Sequence, residues 1–333
     1  MQKGNSMPDV VVSENVAGAP MDALRRDLDV LFDPDLWKDP DRLAEAVASA
    51  RALVVRNQTE VTAALIGGSP KLEIIARAGA GVNNVDVKAA SDAGIVVAYT
   101  PSENSVSVAE LTIGLMLALA RKIPAADRDT KAGGWARRRF TGVELLDKTL
   151  GIVGLGRIGV LTARRARAFG MTIVAHDEFI DPGAPAITEL EARLVGLDEL
   201  LARSDFVSCH VPLTESTRGM FDYGRFCRMK PGAFFLNTSR GEVVDEAALV
   251  RVLREGRIAG AGLDVRAVEP PEAGPLAEME RVILTPHVAA FTDEAQHRVV
   301  ESVCRDVAAV LRGGEAAGFF NFAAPRRGAR GAR

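Results

Sequence analysis

Cysteine is scarce in these 333 residues: Cys209, Cys227 and Cys304 are the only three. Their spacings suit neither a metal site nor a disulfide framework, so they read as reduced thiols. A charge excess of one sign is also missing, since 41 Lys and Arg face 44 Asp and Glu for a formal net charge of −3. That balance gives no electrostatic case for nucleic acid or a membrane surface, and the expected partner is a small molecule. No apolar run reaches bilayer length, the longest being residues 111–120. The N-terminus lacks the basic and then apolar pattern of a secretion signal, so the expected location is the cytoplasm, with Met1 or Met7 as the start.

What is present suffices for a large buried core: 47% hydrophobic and 26% charged residues are ordinary for a globular protein, and the length suggests two domains. Short apolar runs at Val10–Val12, Val30–Phe32, Ala52–Val55, 72–76 and 95–98 predict buried parallel strands, with helices such as 40–50 and 85–93 between them. They describe a small flavodoxin-like α/β domain that has no phosphate-binding glycine turn. From 105 to 122 apolar residues are too dense for a one-sided helix, which predicts a long helix buried against a domain or a second subunit.

After the apolar run 149–153 stands Gly154-Leu155-Gly156-Arg157-Ile158-Gly159, then a helical stretch, then the strand Thr172–His176 closed by Asp177. A lone G-x-G-x-x-G is a weak signal; with strand, helix and acid in place it describes a dinucleotide-binding unit. Gly154 permits the tight turn, Gly156 lets the backbone approach a pyrophosphate, and Gly159 lets the helix pack close to the strand. The first N–H groups of that helix face the anion. Asp177 can accept from both ribose hydroxyls and would repel a 2′-phosphate, so NAD is expected rather than NADP.

Strands are expected at 150–153, Thr172–His176, 206–210, 233–237, 260–264 and Val282–Leu284, six in one doubly wound parallel sheet. The fold class is therefore α/β with two doubly wound domains: a Rossmann NAD-binding domain at 103–290, inserted into a smaller substrate domain of residues 1–102 and 291–322. The helix Asp293–Leu311 returns to that smaller domain. Residues 323–333 lack apolar periodicity and read as a disordered, solvated basic tail. Groups just past strand ends complete the expected cofactor lining: His210, Val211, Pro212, Thr217, Thr238, Ser239, Asp264, Ala289 and Ala290.

Three strand ends bring unusual groups to one edge of the sheet: Arg240, Glu269 and His287. His287 alone reads equally as a structural histidine; beside the other two it suits proton transfer at a carbonyl during hydride transfer. Glu269 would hold the second ring nitrogen, with Glu272 nearby as a rival for that place. Arg240 offers a planar fork for a substrate carboxylate. His176, His210 and His297 read as structural side chains. Arg56 would serve either a phosphate or sulfonate or a strand-end salt bridge. Arg137-Arg138-Arg139 reads as a solvated or intersubunit face.

At these residues the chain resembles the D-isomer-specific 2-hydroxyacid dehydrogenase family, and within it the D-3-phosphoglycerate dehydrogenase branch. The resemblance runs from about residue 52 to 301, through 77–86, 109–112, 119–124, Gly134-Trp135, the glycine turn, 237–241 and Pro286-His287. It implies a catalytic Arg240, Glu269 and His287, with Asp264 near the nicotinamide. It also implies that the backbone of Gly79-Ala80-Gly81 binds the substrate carboxylate and that Arg56, Asn57 and Asn104 face the substrate. No metal is implied. Such enzymes are homodimers or tetramers built on the nucleotide domain, and Trp135 matches a residue that reaches toward the partner subunit.

Departures bear on the substrate. The chain ends too soon for the C-terminal regulatory domains of the branch, so serine feedback through them is not expected. Phe291 stands where a small residue is usual and Asn83 where an aspartate is common. Residues 56–59 and 8–14 also look like members acting on other small acids, including sulfolactate. The expected reaction is hydride transfer between NAD and a small D-2-hydroxy acid or its 2-oxo acid, with 3-phosphoglycerate as the substrate, the alternatives being hydroxypyruvate or glyoxylate reduction, sulfolactate oxidation and an NAD-sensing corepressor. Formate-oxidising relatives carry glutamine at position 269, which disfavours them.

Overall fold

The computed structural model describes residues 7–326; the question of which methionine starts the chain, and residues 327–333, lie outside the described residues. Two compact units divide the chain: Ser105–Ala290 forms one, and the residues up to Asn104 together with those from Phe291 onward form the other.

The discontinuous unit holds a parallel sheet of β1 (Val10–Val12), β2 (Val30–Phe32), β3 (Ala52–Val55), β4 (Ile74–Arg77) and β5 (Val96–Tyr99), in the order β2-β1-β3-β4-β5. Its inner strands are unbroken apolar runs because both faces are covered. Val10, Val12, Val54, Ala76 and Val96 share a core with Val299, Val303, Val307 and Val310 of the returning helix Asp293–Leu311. The alternate residues Val11, Leu53, Val55, Ile75 and Val97 pack with Leu43, Val47, Ile66 and Ala90 on the other face. Side-chain caps start the helices: Asp39 accepts from Arg42 N–H, Thr62 from Leu65, Asp86 from Ala89 and Thr292 from Ala295. Each contributes about 1 kcal/mol.

Two strands begin later than hydropathy predicts. Leu72 and Ile95 are fully buried, but they belong to the turns that lead in, where their N–H groups donate to Ser69 O and Ala90 O. Residues 323–326, part of the segment expected to lack structure, are also placed. Ala323 O accepts from Ala316 N–H at 2.8 Å, and Arg326 N–H donates to Gly94 O at 2.9 Å. These backbone bonds leave no trace in apolar periodicity.

The continuous unit has seven strands rather than six: β6 (Thr149–Val153), β7 (Thr172–His176), β8 (Arg193–Leu194), β9 (Phe206–Cys209), β10 (Phe234–Asn237), β11 (Gly260–Leu263) and β12 (Val282–Leu284). The additional strand, β8, is two residues long and not fully buried, too short for a periodicity. The order β12-β11-β10-β9-β6-β7-β8 reverses direction between β6 and β9. At such a reversal the connecting loops part beyond the carboxyl ends of the strands, which is where ligands bind in doubly wound sheets. The helix Ser105–Ala120 packs within this unit, on β10 and β11. A Cβ on Gly262 would stand 3.3 Å from both Leu115 and Leu119 side chains, so the bare strand lets the helix approach. Among the described residues no helix is long and apolar enough to cross a membrane, and no three metal-ligating side chains are grouped.

Candidate active site

Gly154 follows β6 with φ of +92°, a conformation that suits a residue without a Cβ. A Cβ there would also stand 2.9 Å from the His210 carbonyl carbon. Gly159 lies so close to the turn that a Cβ would fall 2.2 Å from Gly154 O. Gly156 differs: nothing lies within 4 Å of a Cβ built on it, and no side chain caps the helix Arg157–Ala168 that begins beside it. An open turn and uncapped N–H groups at Arg157 and Ile158 fit a pyrophosphate. Asp177 accepts from Leu155 N–H at 2.7 Å and from Phe179 and Ile180 N–H at 2.9 and 3.1 Å. It thereby ties the glycine turn to the end of β7, and a carboxylate has one further acceptor site for a ribose hydroxyl.

The end of β9 is held by its own side chains. His210 Nε2 lies 2.9 Å from Ser208 Oγ, while Nδ1 is sealed from solvent with no hydrogen-bond partner among the described residues. Although the residue as a whole is half-buried, this burial pushes His210 down to about 4, so the imidazole is neutral. Val211 Cγ1 would lie 3.0 Å from a Cβ on Gly154, and Thr217 Oγ1 donates to Pro212 O at 2.7 Å. Past β10, Thr238 Oγ1 lies 2.9 Å from Thr112 Oγ1, and Ser239 donates to Asn237 Oδ1 through N–H at 3.0 Å and Oγ at 2.8 Å. His176 Nδ1 lies 3.1 Å from Val195 O, a contact within the sheet edge.

Arg240 follows that turn. Its Nη1 donates to Ser239 O at 2.7 Å, and Asn237 Nδ2 donates to Arg240 O at 2.8 Å. The neighbouring Gly241 presses on the loop after β11, where a Cβ would fall 1.9 Å from the Arg266 carbonyl carbon. His287, past β12, adopts φ of +53° and brings Nδ1 to 2.7 Å from Glu269 Oε2. The other Glu269 oxygen accepts from Arg266 N–H at 2.9 Å. Burial pushes the Glu269 carboxyl up, but the His287 hydrogen bond, the Arg266 N–H and the charges of His287 and Arg240 outweigh it and hold the group below the usual carboxylate range. An ionised Glu269 places a proton on Nδ1 and leaves Nε2 as the nitrogen that can exchange one. The structure thus brings Arg240, Glu269 and His287 to one edge; Glu272 makes no hydrogen bond or ion pair among the described residues.

Asp264 has a role that strand-end reasoning missed. It is 1% exposed. Its Oδ1 accepts from Thr285 Oγ1 at 2.5 Å and Val288 N–H at 2.9 Å, and its Oδ2 from Ala289 N–H at 2.9 Å. Its carbonyl accepts from His287 N–H at 2.8 Å. The carboxylate expected near the nicotinamide thus also braces the segment that runs from Thr285 through Ala289 to Ala290 and carries His287.

In the discontinuous unit, Arg56 follows β3. Its guanidinium meets Asn15 O at 3.3 Å, Gln296 Oε1, and the Phe291 ring at 5.6 Å. All three are neutral, so the strand-end salt bridge considered for Arg56 is not formed among the described residues. Burial pushes the guanidinium down, and the Glu14 charge partly offsets this. Glu14 itself, 2% exposed, binds backbone: Oε1 accepts from Arg56 N–H at 2.7 Å, Thr59 N–H at 3.0 Å and Thr59 Oγ1 at 2.7 Å, and Oε2 from Gln58 N–H at 3.1 Å. Asn84 Nδ2 donates to Arg56 O and Thr59 O at 2.8 and 2.7 Å. Between these clamps Asn57 is exposed. Asn104 Oδ1 is buried with no partner among the described residues. In the 79–81 loop, Gly79 N–H is taken by Arg77 O at 2.9 Å, while Ala80 and Gly81 N–H make no hydrogen bond among the described residues.

Residues 113–289 match the model described as D-isomer specific 2-hydroxyacid dehydrogenase, NAD binding domain. The D-3-phosphoglycerate dehydrogenase of Mycobacterium tuberculosis is 43% identical over 308 residues, 92% of this chain and 58% of that protein, so the chain spans a little over half the length of this curated relative. The TT0316 protein of Thermus thermophilus gives a TM-score of 0.87 at 36% identity, covering 93% of this chain and 99% of that one. The D-lactate dehydrogenase of Aquifex aeolicus, solved with NAD and lactic acid, gives 0.83 at 29% identity, covering 94% and 98%.

Proposed function

This chain belongs to the D-isomer specific 2-hydroxyacid dehydrogenase family, and on that premise we propose that it interconverts a small D-2-hydroxy acid and its 2-oxo acid with NAD, 3-phosphoglycerate being the hydroxy acid. The observation that carries the reading is the 2.7 Å contact between Glu269 and Nδ1 of His287, with the Arg240 charge acting on the same carboxylate. When bound, NAD supplies the hydride acceptor. In oxidation Nε2 of His287 takes the hydroxyl proton, and in reduction it returns that proton to the carbonyl oxygen. Glu269 keeps Nδ1 protonated and offsets the imidazolium charge. Arg240 pairs with the substrate carboxylate and polarises the adjacent carbonyl.

For the discontinuous unit we propose the charged tail of the acid as the ligand of Arg56, supported by Asn57 and Asn104, and the free Ala80 and Gly81 N–H groups as carboxylate donors. The name shared by the curated relatives supports phosphoglycerate, and the neutral partners of Arg56 leave its charge available for a phosphate. Three unpaired thiols, two of them buried, suit the reducing cytoplasm. Trp135, 76% exposed, suits a homodimer or tetramer built on the nucleotide unit.

Steady-state rates with D-3-phosphoglycerate, D-glycerate, D-lactate and sulfolactate in one direction, and hydroxypyruvate and glyoxylate in the other, test this with NAD and NADP in turn. The expected result is fastest turnover of 3-phosphoglycerate with NAD. A faster rate on another acid replaces the substrate; no turnover of any acid removes the dehydrogenase reading.

A further inference from the structure

Glu269 reaches His287 from a segment, residues 264–274, that has no regular secondary structure, and Val268 within it is 70% exposed. A segment of that kind does not hold a carboxylate to a ring nitrogen by itself. Its restraint comes from Arg266. The Arg266 fork makes two parallel bonds to Glu246, Nε to Oε1 at 3.0 Å and Nη2 to Oε2 at 2.7 Å, and Ala267 N–H adds a third to Oε1 at 2.8 Å. These side chains are largely buried, 15% and 25% exposed. Glu246 is the first residue of the helix Glu246–Arg254, which Asp245 caps through Ala248 N–H at 3.0 Å, so the acceptor stands on a fixed element. Arg266 then passes the restraint on, because its own N–H donates to Glu269 Oε1. On its other side the Arg266 carbonyl is seated against Gly241, next to Arg240.

We propose that Glu246 and Arg266 are positioning residues for the Glu269–His287 pair: their ion pair fixes the loop from which Glu269 reaches Nδ1. This rests on the dehydrogenase reading for its chemical meaning but not for its geometry. Bidentate pairing sets direction as well as distance, and a displacement of about 1 Å in a catalytic group costs on the order of 100-fold in rate. The Glu246 and Arg266 side chains are paired with each other. Their effect is exerted through Glu269.

The test reads the ring directly. Nitrogen NMR of the neutral imidazole reports which nitrogen carries the proton, and with only four histidines in the chain His287 is assignable. In the unaltered protein His287 is expected as the Nδ1–H tautomer, and Glu269→Ala is expected to lose that preference. Arg266→Met and the milder Glu246→Gln should move the ring at least about half as far as Glu269→Ala does, with Arg266→Lys moving it less. NADH affinity within about twofold of the parent shows that the nucleotide unit remains folded, and kcat should fall roughly tenfold or more. An unchanged tautomer in both Arg266→Met and Glu246→Gln, with Glu269→Ala altered, overturns the proposal. Because the tautomer is read without substrate, a protein that turns over no 2-oxo acid would sink the functional reading and still show whether Glu246 and Arg266 position Glu269.

Discussion

Oδ1 of Asp264 accepts the Thr285 hydroxyl at 2.5 Å, and through this bond the end of β11 grips the segment that carries His287. With Val288 and Ala289 N–H on the same buried carboxylate, three donors converge on two oxygens. Asp264→Asn turns one acceptor into a donor and sets it against an N–H or a hydroxyl. The unmade bonds should cost about 1–3 kcal/mol in urea unfolding. Because His287 loses its frame, kcat should also fall roughly tenfold. An unchanged urea midpoint together with an unchanged kcat would remove the bracing role.

His287→Ala removes the group proposed to exchange the substrate proton and leaves the glycine turn untouched. Loss of a positioned acid or base lowers kcat roughly 100- to 10,000-fold. NADH affinity, followed by fluorescence quenching, should stay within about twofold, since none of the turn contacts involves this ring. Retained turnover would place the proton donor elsewhere, and a large loss of NADH binding would make His287 part of the cofactor site. The same variant separates a catalyst from an NAD-sensing binding protein, whose partner binding should survive it.

His210 contributes a pH dependence with a definite sign. Its sealed Nδ1 holds it near 4 in the folded chain, whereas an unfolded histidine titrates near 6.5. Between those values the unfolded chain binds the additional proton, so stability falls as pH drops from about 6.5 to about 4 and is unaffected by this group above that window. Because the residue as a whole is half-buried, the effect is reduced and leaves roughly 2 kcal/mol across the window. His210→Asn should flatten that slope by about this amount when urea unfolding is measured at pH 7.5 and again near pH 4.5. Parallel slopes for the two proteins would assign the acid sensitivity to other groups.

The features legible in the sequence are those whose cause is local. Gly159 announces itself because a strand, a turn and a helix within a few residues of one another leave no room for a Cβ, and Gly154 because the turn itself needs its positive φ. The strand-end residues Glu269 and His287 are legible for a related reason: parallel strands deliver their last residues to one edge. Glu14 is not legible, because its meaning comes from Thr59, 45 residues away, and nothing near Glu14 marks it as buried. Arg266 is not legible either, because its partner Glu246 lies 20 residues away. The two-residue β8 is hidden for want of length. The neutral partners of Arg56 come from both ends of the chain, Asn15 and Gln296, and only folding brings them together.

We propose that Asp177 joins two functions in one carboxylate, and they should separate on substitution. Its charge disfavours a 2′-phosphate, so Asp177→Ala should lower the ratio of kcat/KM for NAD over NADP by roughly tenfold or more, equivalent to about 1.4 kcal/mol. Its Oδ2 also accepts Leu155 N–H at 2.7 Å. Losing that bond should loosen the glycine turn and cost about 1 kcal/mol in urea unfolding, with a weaker affinity for both cofactors. Asp177→Asn keeps an acceptor for Leu155 and removes the charge. It should therefore recover most of the stability while retaining the relaxed cofactor choice. If the NAD preference persists in both variants, the 2′-position is discriminated by another group and Asp177 serves the turn alone.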